Sequence, residues 1–193
     1  MKTIILNSNA EAIVDELLED ISRSSQLLKH EKESQFARRT FIRTFFSFLD
    51  AYGRIIRSDI MDSDLKNKLD SSWHTVLQEM VPEPEKNGTI KFRESRHPFQ
   101  NLFAATLRAW AISKGMTQDA ITKEIFGVNG WNQFQNAILL RHSLTHPKVG
   151  KSLKVTTDQT RMCVDAFIWC RDIHQKLSGV SFDQKKWCPL VNT

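Results

Sequence analysis

The fold class can be inferred from residues Ser34 to Arg57, which read SQFARRTFIRTFFSFLDAYGRIIR. Their apolar side chains recur at intervals of three and four residues, which is the period of one face of an α-helix. A stretch of this length with this period is too long for a strand. The sequence therefore predicts a long helix whose buried side is formed by Phe41, Phe45, Phe48, Leu49, Tyr52, Ile55 and Ile56.

The same helical period extends over most of the remaining chain. Pro82 to Gly88 predicts a loop, because its prolines and its glycine cannot continue a helix. Only Thr89 to Phe92 alternates as a strand does, and this segment is too short to build a sheet. The sequence therefore predicts an all-α protein, a single helical bundle of about seven helices. Besides the helix from Ser34, these begin near Ser8, Ser63, Pro98, Thr117, Trp131 and Thr157 or Asp158.

The composition is that of a globular protein and leaves the partner open. The chain has 193 residues, of which 40% are apolar and 25% charged, and this excludes a disordered or collagen-like chain. Its length suits one domain with a sizeable core. The 27 lysines and arginines exceed the 22 acidic residues and give a net charge of +5. Such an excess permits a polyanionic partner such as nucleic acid without requiring one.

Several absences bear on the compartment. The cysteines, Cys163, Cys170 and Cys188, are too few for a disulfide framework. Residues 4–6 form the only apolar run before Asn7, which is too short for the core of a signal peptide. No run approaches the length of about 18 apolar residues that a membrane-spanning helix needs. We therefore expect a cytoplasmic protein with no membrane association.

The segment from Leu139 to Pro147, LLRHSLTHP, carries the strongest chemical signal in the chain. Arg141 follows the apolar Ile138 by three residues, so its guanidinium continues the apolar side of the helix. A charge there must be paired or must face an enclosed polar site. Pro147 disfavours helical geometry at His146, so the helix can end there and swing the imidazole round. Arginine stabilises a crowded phosphate, and histidine transfers protons near neutral pH.

The same residues also have a purely structural interpretation. In that interpretation Arg141 forms an ion pair with a carboxylate, while His142 and His146 only close the end of the helix. Spacing alone favours this structural interpretation over a functional one, so a function for the segment needs support beyond the spacing of its residues.

Arg141 to His146, RHSLTH, resembles the R-x4–6-H signature of the HEPN superfamily. In that superfamily the motif lies near a helix end in a small all-α bundle. His142 occupies the polar position where asparagine is commonest. The resemblance implies a HEPN-like helical domain over residues 1–193, whose N-terminal helices, residues 8–57, are either part of its core or an addition to it.

The resemblance also implies an activity, that of a metal-independent endoribonuclease in a toxin–antitoxin or phage-defence setting. Two protomers pair so that both motifs line one cleft. His146 then helps to activate the ribose 2′-OH, Arg141 stabilises the charged transition state, and His142 orients or contacts the phosphate. The product is a 2′,3′-cyclic phosphate. No metal or other cofactor is implied, and the partners are RNA, a second copy of the chain, and an antitoxin or other partner protein.

Two groups of basic residues offer weaker support for RNA binding. Four arginines fall within an arc of roughly 60° on the second helix, and three lysines follow the motif. Such rows can track a phosphate backbone. Asp50 lies in the middle of the arginine arc, which favours a solvated helix face, and a basic loop is an equal alternative for the lysines. The residues are Arg39, Arg43, Arg54, Arg57, Lys148, Lys151 and Lys154.

Other kinds of chemistry lack a signal. The chain contains no P-loop, no Rossmann glycine pattern, and neither H-E-x-x-H nor G-x-S-x-G. Cys170 and His174 share a helix face, but two ligands without a second pair make a poor zinc site. Two alternatives to a nuclease remain. One is a catalytically silent HEPN-like module that binds a protein or RNA, and the other is an unrelated helical scaffold in which Arg141 is locked in a buried ion pair.

Overall fold

A computed structural model describes residues 8–94 and 97–179. Within these ranges the chain forms seven α-helices, and its only β-structure is a sheet of two strands. The all-α class and the number of helices predicted from the sequence are therefore confirmed. Residues 4–6 and Cys188, which contributed to the expected compartment, lie outside the described residues.

The described residues divide into two compact units. The first contains residues 8–52 and 122–179, and the second contains residues 53–94 and 97–121, so the second helix contributes to both. The single domain over residues 1–193 stays a prediction.

In chain order the elements are α1 (Ser8–His30), α2 (Gln35–Asp62), a first 3-10 turn (Asp64–Lys68), α3 (Ser71–Leu77), β1 (Met80–Pro84), β2 (Ile90–Glu94), α4 (Phe99–Ser113), α5 (Gln118–Ile121), a π-helical turn (Thr122–Phe126), α6 (Asn129–Thr145), a second 3-10 turn (Gly150–Leu153) and α7 (Thr157–Ser178).

Aromatic side chains form the core of the first unit. Phe45 of α2 meets Phe167 of α7 edge to face, with ring centroids 5.4 Å apart. Phe134 of α6 lies 5.3 Å from the ring of Trp169. Phe45, Phe134 and Phe167 are almost completely buried, and the burial of each such side chain contributes about 1.5–3 kcal/mol. The apolar stripe of the second helix therefore anchors α2 in this unit.

Close packing of α6 on α7 depends on Gly130. A β-carbon at this position would lie 2.4 Å from Cγ and Cδ1 of Trp169 and 2.5 Å from its Cβ. These are the inner atoms of the tryptophan side chain, so a rotation of the indole cannot clear them. Because glycine has no β-carbon, the helix that carries Arg141 can pack directly against α7.

A buried arginine ties the turn between α1 and α2 to the start of α7. The guanidinium of Arg38 donates to the carbonyl oxygens of Lys32 at 2.8 Å and Val155 at 2.9 Å. Its Nη2 donates to the carboxylate of Glu33 and to the hydroxyl of Thr157, both at 3.1 Å. These bonds satisfy a buried charge that would otherwise be strongly destabilising. Arg38 therefore holds three parts of the first unit together.

The second unit buries a different arginine of α2. Arg57 donates to the hydroxyl of Thr106 at 3.4 Å, and its Nη2 lies 3.7 Å from the carboxylate of Glu79. Only 8% of Arg57 is exposed. The sequence grouped this residue with the arginines of a solvated or RNA-facing arc, and that placement is wrong. The neighbours of Arg57 come from α4 and from the connection between α3 and β1, which helical spacing within α2 does not reveal.

The segment from Pro82 to Gly88 is not a loop throughout, because its first part forms β1. Pro84 is paired with Ile90 across the antiparallel sheet. The N–H of Glu85 donates to the carbonyl of Thr89 at 2.8 Å, so these two residues form a hydrogen-bonded pair. Along an antiparallel sheet, hydrogen-bonded pairs of opposite residues alternate with pairs that are not hydrogen-bonded. The prolines of β1 therefore fall at non-bonded positions, where a missing N–H removes no bond between the two strands.

Capping residues move two of the predicted helix boundaries. The helix predicted from Ser63 divides into the first 3-10 turn and α3, because the carboxylate of Asp70 accepts the N–H of Ser72 at 2.9 Å and begins a new helix there. The last helix is capped by Thr156, whereas the sequence predicted Thr157 or Asp158 as its cap. The hydroxyl of Thr156 accepts the N–H of Gln159, whose side chain bonds back in a capping box.

Candidate functional site

The first component of the candidate site is Arg141, which lies near the end of α6. The residue is half-buried, whereas the next one, His142, is exposed. Phe134, Ile138 and Leu144, which share a helix face with Arg141, are all buried. The guanidinium therefore extends from the buried side of α6, and the packing of the helix restricts its position.

The second component is His146, the first residue beyond α6. Its φ of −126° and ψ of 65° lie outside the helical region, although its N–H still donates to the carbonyl of His142 at 2.9 Å. The following Pro147 accounts for this departure from helical geometry. The side chain of His146 is exposed. The backbone thus leaves the helix at the histidine, while Arg141 is held one turn earlier.

Three exposed residues lie at the end of α6. Leu139 and His142 are three residues apart in the helix, which places them on one face, and His146 follows directly after the last helical residue. Leu139 is 65% exposed, and both histidines are exposed. We refer to Leu139, His142 and His146 as the α6 surface. It presents two imidazoles and one apolar side chain to solvent.

The basic residues predicted to bind RNA fall into two kinds. Arg39 is half-buried and donates to the carbonyl of Leu153 at 3.0 Å. It therefore attaches α2 to the second 3-10 turn, which contains Lys151. Arg43, Lys148 and Lys151 are exposed. The structure thus brings the arginine end of α2 to the basic segment that follows the motif, with Arg39 already bonded to the backbone.

The sequence contains a signal for Arg38 that its motifs do not capture. The residue precedes Phe41 by three positions and Phe45 by seven, so it stands on the apolar stripe of the second helix. Arg141 has the same relation to the apolar stripe of α6. An arginine on the buried side of an amphipathic helix is therefore the pattern that would have identified Arg38 as well.

Burial suppresses the reactivity of the cysteines and of His174. Desolvation raises the pKa of the Cys163 thiol to about 12 and holds that of the Cys170 thiol well above its usual range. It lowers the pKa of His174 to about 3. Because the thiolate is the form that attacks and binds metals, neither cysteine suits such a role. Among the residues described, no three of the types His, Cys, Asp and Glu are placed to hold a metal ion.

The half-buried, desolvated ring of His174 predicts that stability depends on pH. Its pKa is about 3 in the folded protein and about 6.5 in the unfolded chain. Between these values the unfolded chain binds a proton that the folded protein does not, so the free energy of unfolding decreases as the pH falls. We expect a loss of about 1 kcal/mol per pH unit between about pH 6 and pH 4, measured by urea denaturation.

Two variants test the assignment of this pH dependence. The substitution His174→Phe keeps a ring and removes the titrating group, so it should flatten the slope. The substitution His30→Phe changes an exposed histidine and should leave the slope as it is in the parent protein. An unchanged slope in His174→Phe would show that another group causes the dependence.

Comparisons with known proteins identify no relative: no protein-family model, no curated protein and no solved structure matches the chain. In the part of the chain that the structure describes, none of the helices combines the length and the apolar character needed to cross a membrane.

Proposed function

We propose that the protein is a metal-independent endoribonuclease of HEPN type, which cleaves RNA through attack of the ribose 2′-OH. The observation that carries this proposal is the position of the motif at the end of α6. Arg141 is half-buried within the helix, and His146 is exposed just beyond it. One group is thus held by the packing of the helix, while the other is accessible to a substrate.

The chemistry assigns a separate task to each residue. His146 takes the proton of the 2′-OH, whose oxygen then bonds to the adjacent phosphorus. The bond from phosphorus to the 5′-oxygen of the next nucleotide breaks, and that oxygen takes up a proton. Arg141 stabilises the additional negative charge on the phosphoryl oxygens, and His142 contacts or orients the phosphate. The products are a 2′,3′-cyclic phosphate and a 5′-hydroxyl end.

A second copy of the chain would complete the site. The two imidazoles of the α6 surface are exposed, and charge stabilisation is weak in open water. Two α6 surfaces related by a two-fold axis would line one cleft and exclude water from it. Leu139 supplies an apolar contact within the same α6 surface. We therefore propose a homodimer with the active site at its interface.

The exposed cations near the motif suit an RNA substrate. Lys148 and Lys151 follow the motif directly, and Arg43 extends the basic surface along α2. Each can contact a backbone phosphate without reading the base. Arg39 contributes by holding the Lys151 turn against α2. We propose that this activity operates in the cytoplasm, in a toxin–antitoxin or phage-defence setting, where an antitoxin or other partner protein restrains it.

RNA cleavage by the purified protein in excess EDTA tests the proposal. Cleaved RNA with 2′,3′-cyclic phosphate ends, identified by mass spectrometry, is the expected result. RNA that stays intact with a protein that still dimerises would support the catalytically silent HEPN-like module, which binds RNA or a partner protein. If the protein neither cleaves RNA nor dimerises, the remaining interpretation is the unrelated helical scaffold.

The α6 surface also predicts the effect of a charge at Leu139. The substitution Leu139→Asp would place a carboxylate in the proposed interface of both protomers. Burial of one leucine contributes about 1.5–3 kcal/mol, so the dimer should weaken by a factor of about ten or more. Analytical ultracentrifugation over a concentration series measures the change.

Ile90 of the second unit provides a matched control for Leu139. It is 66% exposed, against 65% for Leu139, so Ile90→Asp makes the same chemical change at an equally exposed site. The control variant should dimerise as the parent protein does. Equal dimerisation of Leu139→Asp and the parent would remove the α6 surface from the interface.

A further inference from the structure

A pocket of about 350 Å³ lies in the first unit, between the end of α1, the turn into α2 and the first turns of α7. Four cationic side chains line it, while Glu33 is the only carboxylate among its lining residues. The pocket therefore has a clear excess of positive charge. The cationic residues are Lys29, Lys32, Arg38 and Arg161.

Three of these cations are available to a ligand. Lys29, Lys32 and Arg161 are exposed, and within residues 8–94 and 97–179 their side chains form no ion pair or hydrogen bond. Glu33 does not neutralise them, because its carboxylate accepts from Arg38 and its side chain is 91% exposed. Like charges that gather around a concave surface without a counter-charge attract an anion.

The fourth cation, Arg38, places a positive charge at a fixed position in the pocket. The side chain of Arg38 is only 7% exposed and is held by bonds to Lys32, Val155, Glu33 and Thr157. Its position is therefore set before any ligand arrives, which lowers the entropic cost of binding. The hydroxyl of Thr157 accepts its bond from Arg38 and keeps its hydrogen for a ligand oxygen.

The remaining lining is apolar. Leu28 is buried and Val164 is half-buried, and both face the pocket. Ligand pockets range upward from about 300 Å³, so the volume accommodates an organic body in addition to an anionic group. Both parts of the lining fit a ligand with a flat or apolar organic group and an anionic group. The organic group would lie against Leu28 and Val164, and the anionic group would lie among the cations.

We propose that this pocket binds the terminal phosphate of a nucleotide, with the nucleoside against Leu28 and Val164. A phosphate monoester carries nearly two negative charges and accepts several hydrogen bonds, which matches three available cations beside a fixed one. The ligand is either a free nucleoside monophosphate or the 5′-phosphorylated end of an RNA strand. The inference goes beyond the proposed nuclease and does not require catalysis by Arg141 or His146.

Isothermal titration calorimetry with AMP, adenosine and inorganic phosphate tests the proposal. AMP should bind more tightly than either of its parts, because only AMP engages both the cations and the apolar lining. A 5′-phosphorylated RNA oligonucleotide that binds more tightly than AMP identifies an RNA end as the ligand. AMP that binds when the oligonucleotide does not identifies a free nucleotide. The absence of AMP binding, or equal binding of adenosine and AMP, would overturn the proposal.

Variants locate the binding site without disturbing the fold. Lys32→Ala and Arg161→Ala change exposed side chains, and each should weaken AMP binding roughly tenfold through the loss of a charge-assisted contact. Lys86→Ala, at an exposed lysine of the β-hairpin, is the matched control and should bind as the parent does. Unchanged binding in both pocket variants would rule out this location.

The proposed nuclease activity and the proposed nucleotide binding can be disproved independently of each other. His146→Ala should lose RNA cleavage and keep AMP binding, since the histidine does not line the pocket. Lys32→Ala should lose AMP affinity and still cleave RNA that carries a 5′-hydroxyl end. A His146→Ala protein that also loses AMP binding would show that the calorimetric signal comes from the motif, and this result would overturn the pocket.

Discussion

RNA cleavage in EDTA should fall by a factor of about a thousand in His146→Ala and of at least about a hundred in Arg141→Ala. The first variant lacks the base that takes the proton of the 2′-OH. The second lacks the charge that stabilises the phosphoryl oxygens as they become more negative. Initial rates on a fluorescently labelled RNA at a saturating substrate concentration measure both effects.

Matched controls separate this chemistry from a general loss of charge. His30 is the exposed last residue of α1 and Arg23 is an exposed arginine of the same helix, so His30→Ala and Arg23→Ala repeat the two changes away from the site. Both should cleave RNA at the parent rate. If His146→Ala and Arg141→Ala also cleave at that rate, the site lies elsewhere and the HEPN interpretation of the motif fails.

A stability measurement completes the test, because the two residues differ in burial. His146 is exposed, so its replacement should change the free energy of unfolding by less than about 0.5 kcal/mol. Arg141 is half-buried, and its truncation removes contacts of its methylene groups as well as its charge. Arg141→Lys therefore serves as the second variant. It keeps the charge and most of the packing, but loses the planar, two-pronged contact with phosphate.

The substitution Gly130→Ala should lower the free energy of unfolding by about 1–3 kcal/mol, which is the usual penalty for overpacking a close contact. The new β-carbon would stand 2.4 Å from two ring atoms of Trp169, so α6 and α7 must move apart. Alanine favours a helix over glycine by up to about 1 kcal/mol, and this gain offsets only part of the clash. Urea denaturation and thermal melting should both show the loss.

Gly150 provides the matched glycine for this experiment. No atom lies within 4 Å of a β-carbon placed there, and Gly150 belongs to the second 3-10 turn of the same unit. Gly150→Ala should therefore change stability by less than about 0.5 kcal/mol. Equal stability of Gly130→Ala and Gly150→Ala would contradict the close contact between α6 and α7.

The parts of the candidate site that sequence could predict are those that depend on local geometry. Arg141 stands on the apolar side of its helix because of its spacing from Ile138, and that spacing needs no knowledge of the rest of the chain. The end of α6 at His146 follows from Pro147, which acts on the residue directly before it. Both features rest on steric rules that reach only a few residues along the chain.

The features that the sequence does not predict, or predicts wrongly, depend on residues far apart in the chain. Arg57 is buried by Glu79 and Thr106, and periodicity within α2 does not indicate either partner. The strand character of β1 depends on pairing with β2, which determines that its prolines face away from the bonded edge. The need for glycine at position 130 becomes visible only when Trp169 is placed against it.

The all-α class, most helix positions and the Arg141–His146 motif follow from the sequence alone, because helical period and proline sterics act over a few residues. The tertiary structure is needed to distinguish the charged groups that are buried from those that are available. It makes Arg38 a structural tie between α2, the turn that precedes it and the start of α7, and it places Lys32 and Arg161 at one pocket. Burial and pairing depend on contacts between distant segments, and those contacts exist only after the chain has folded.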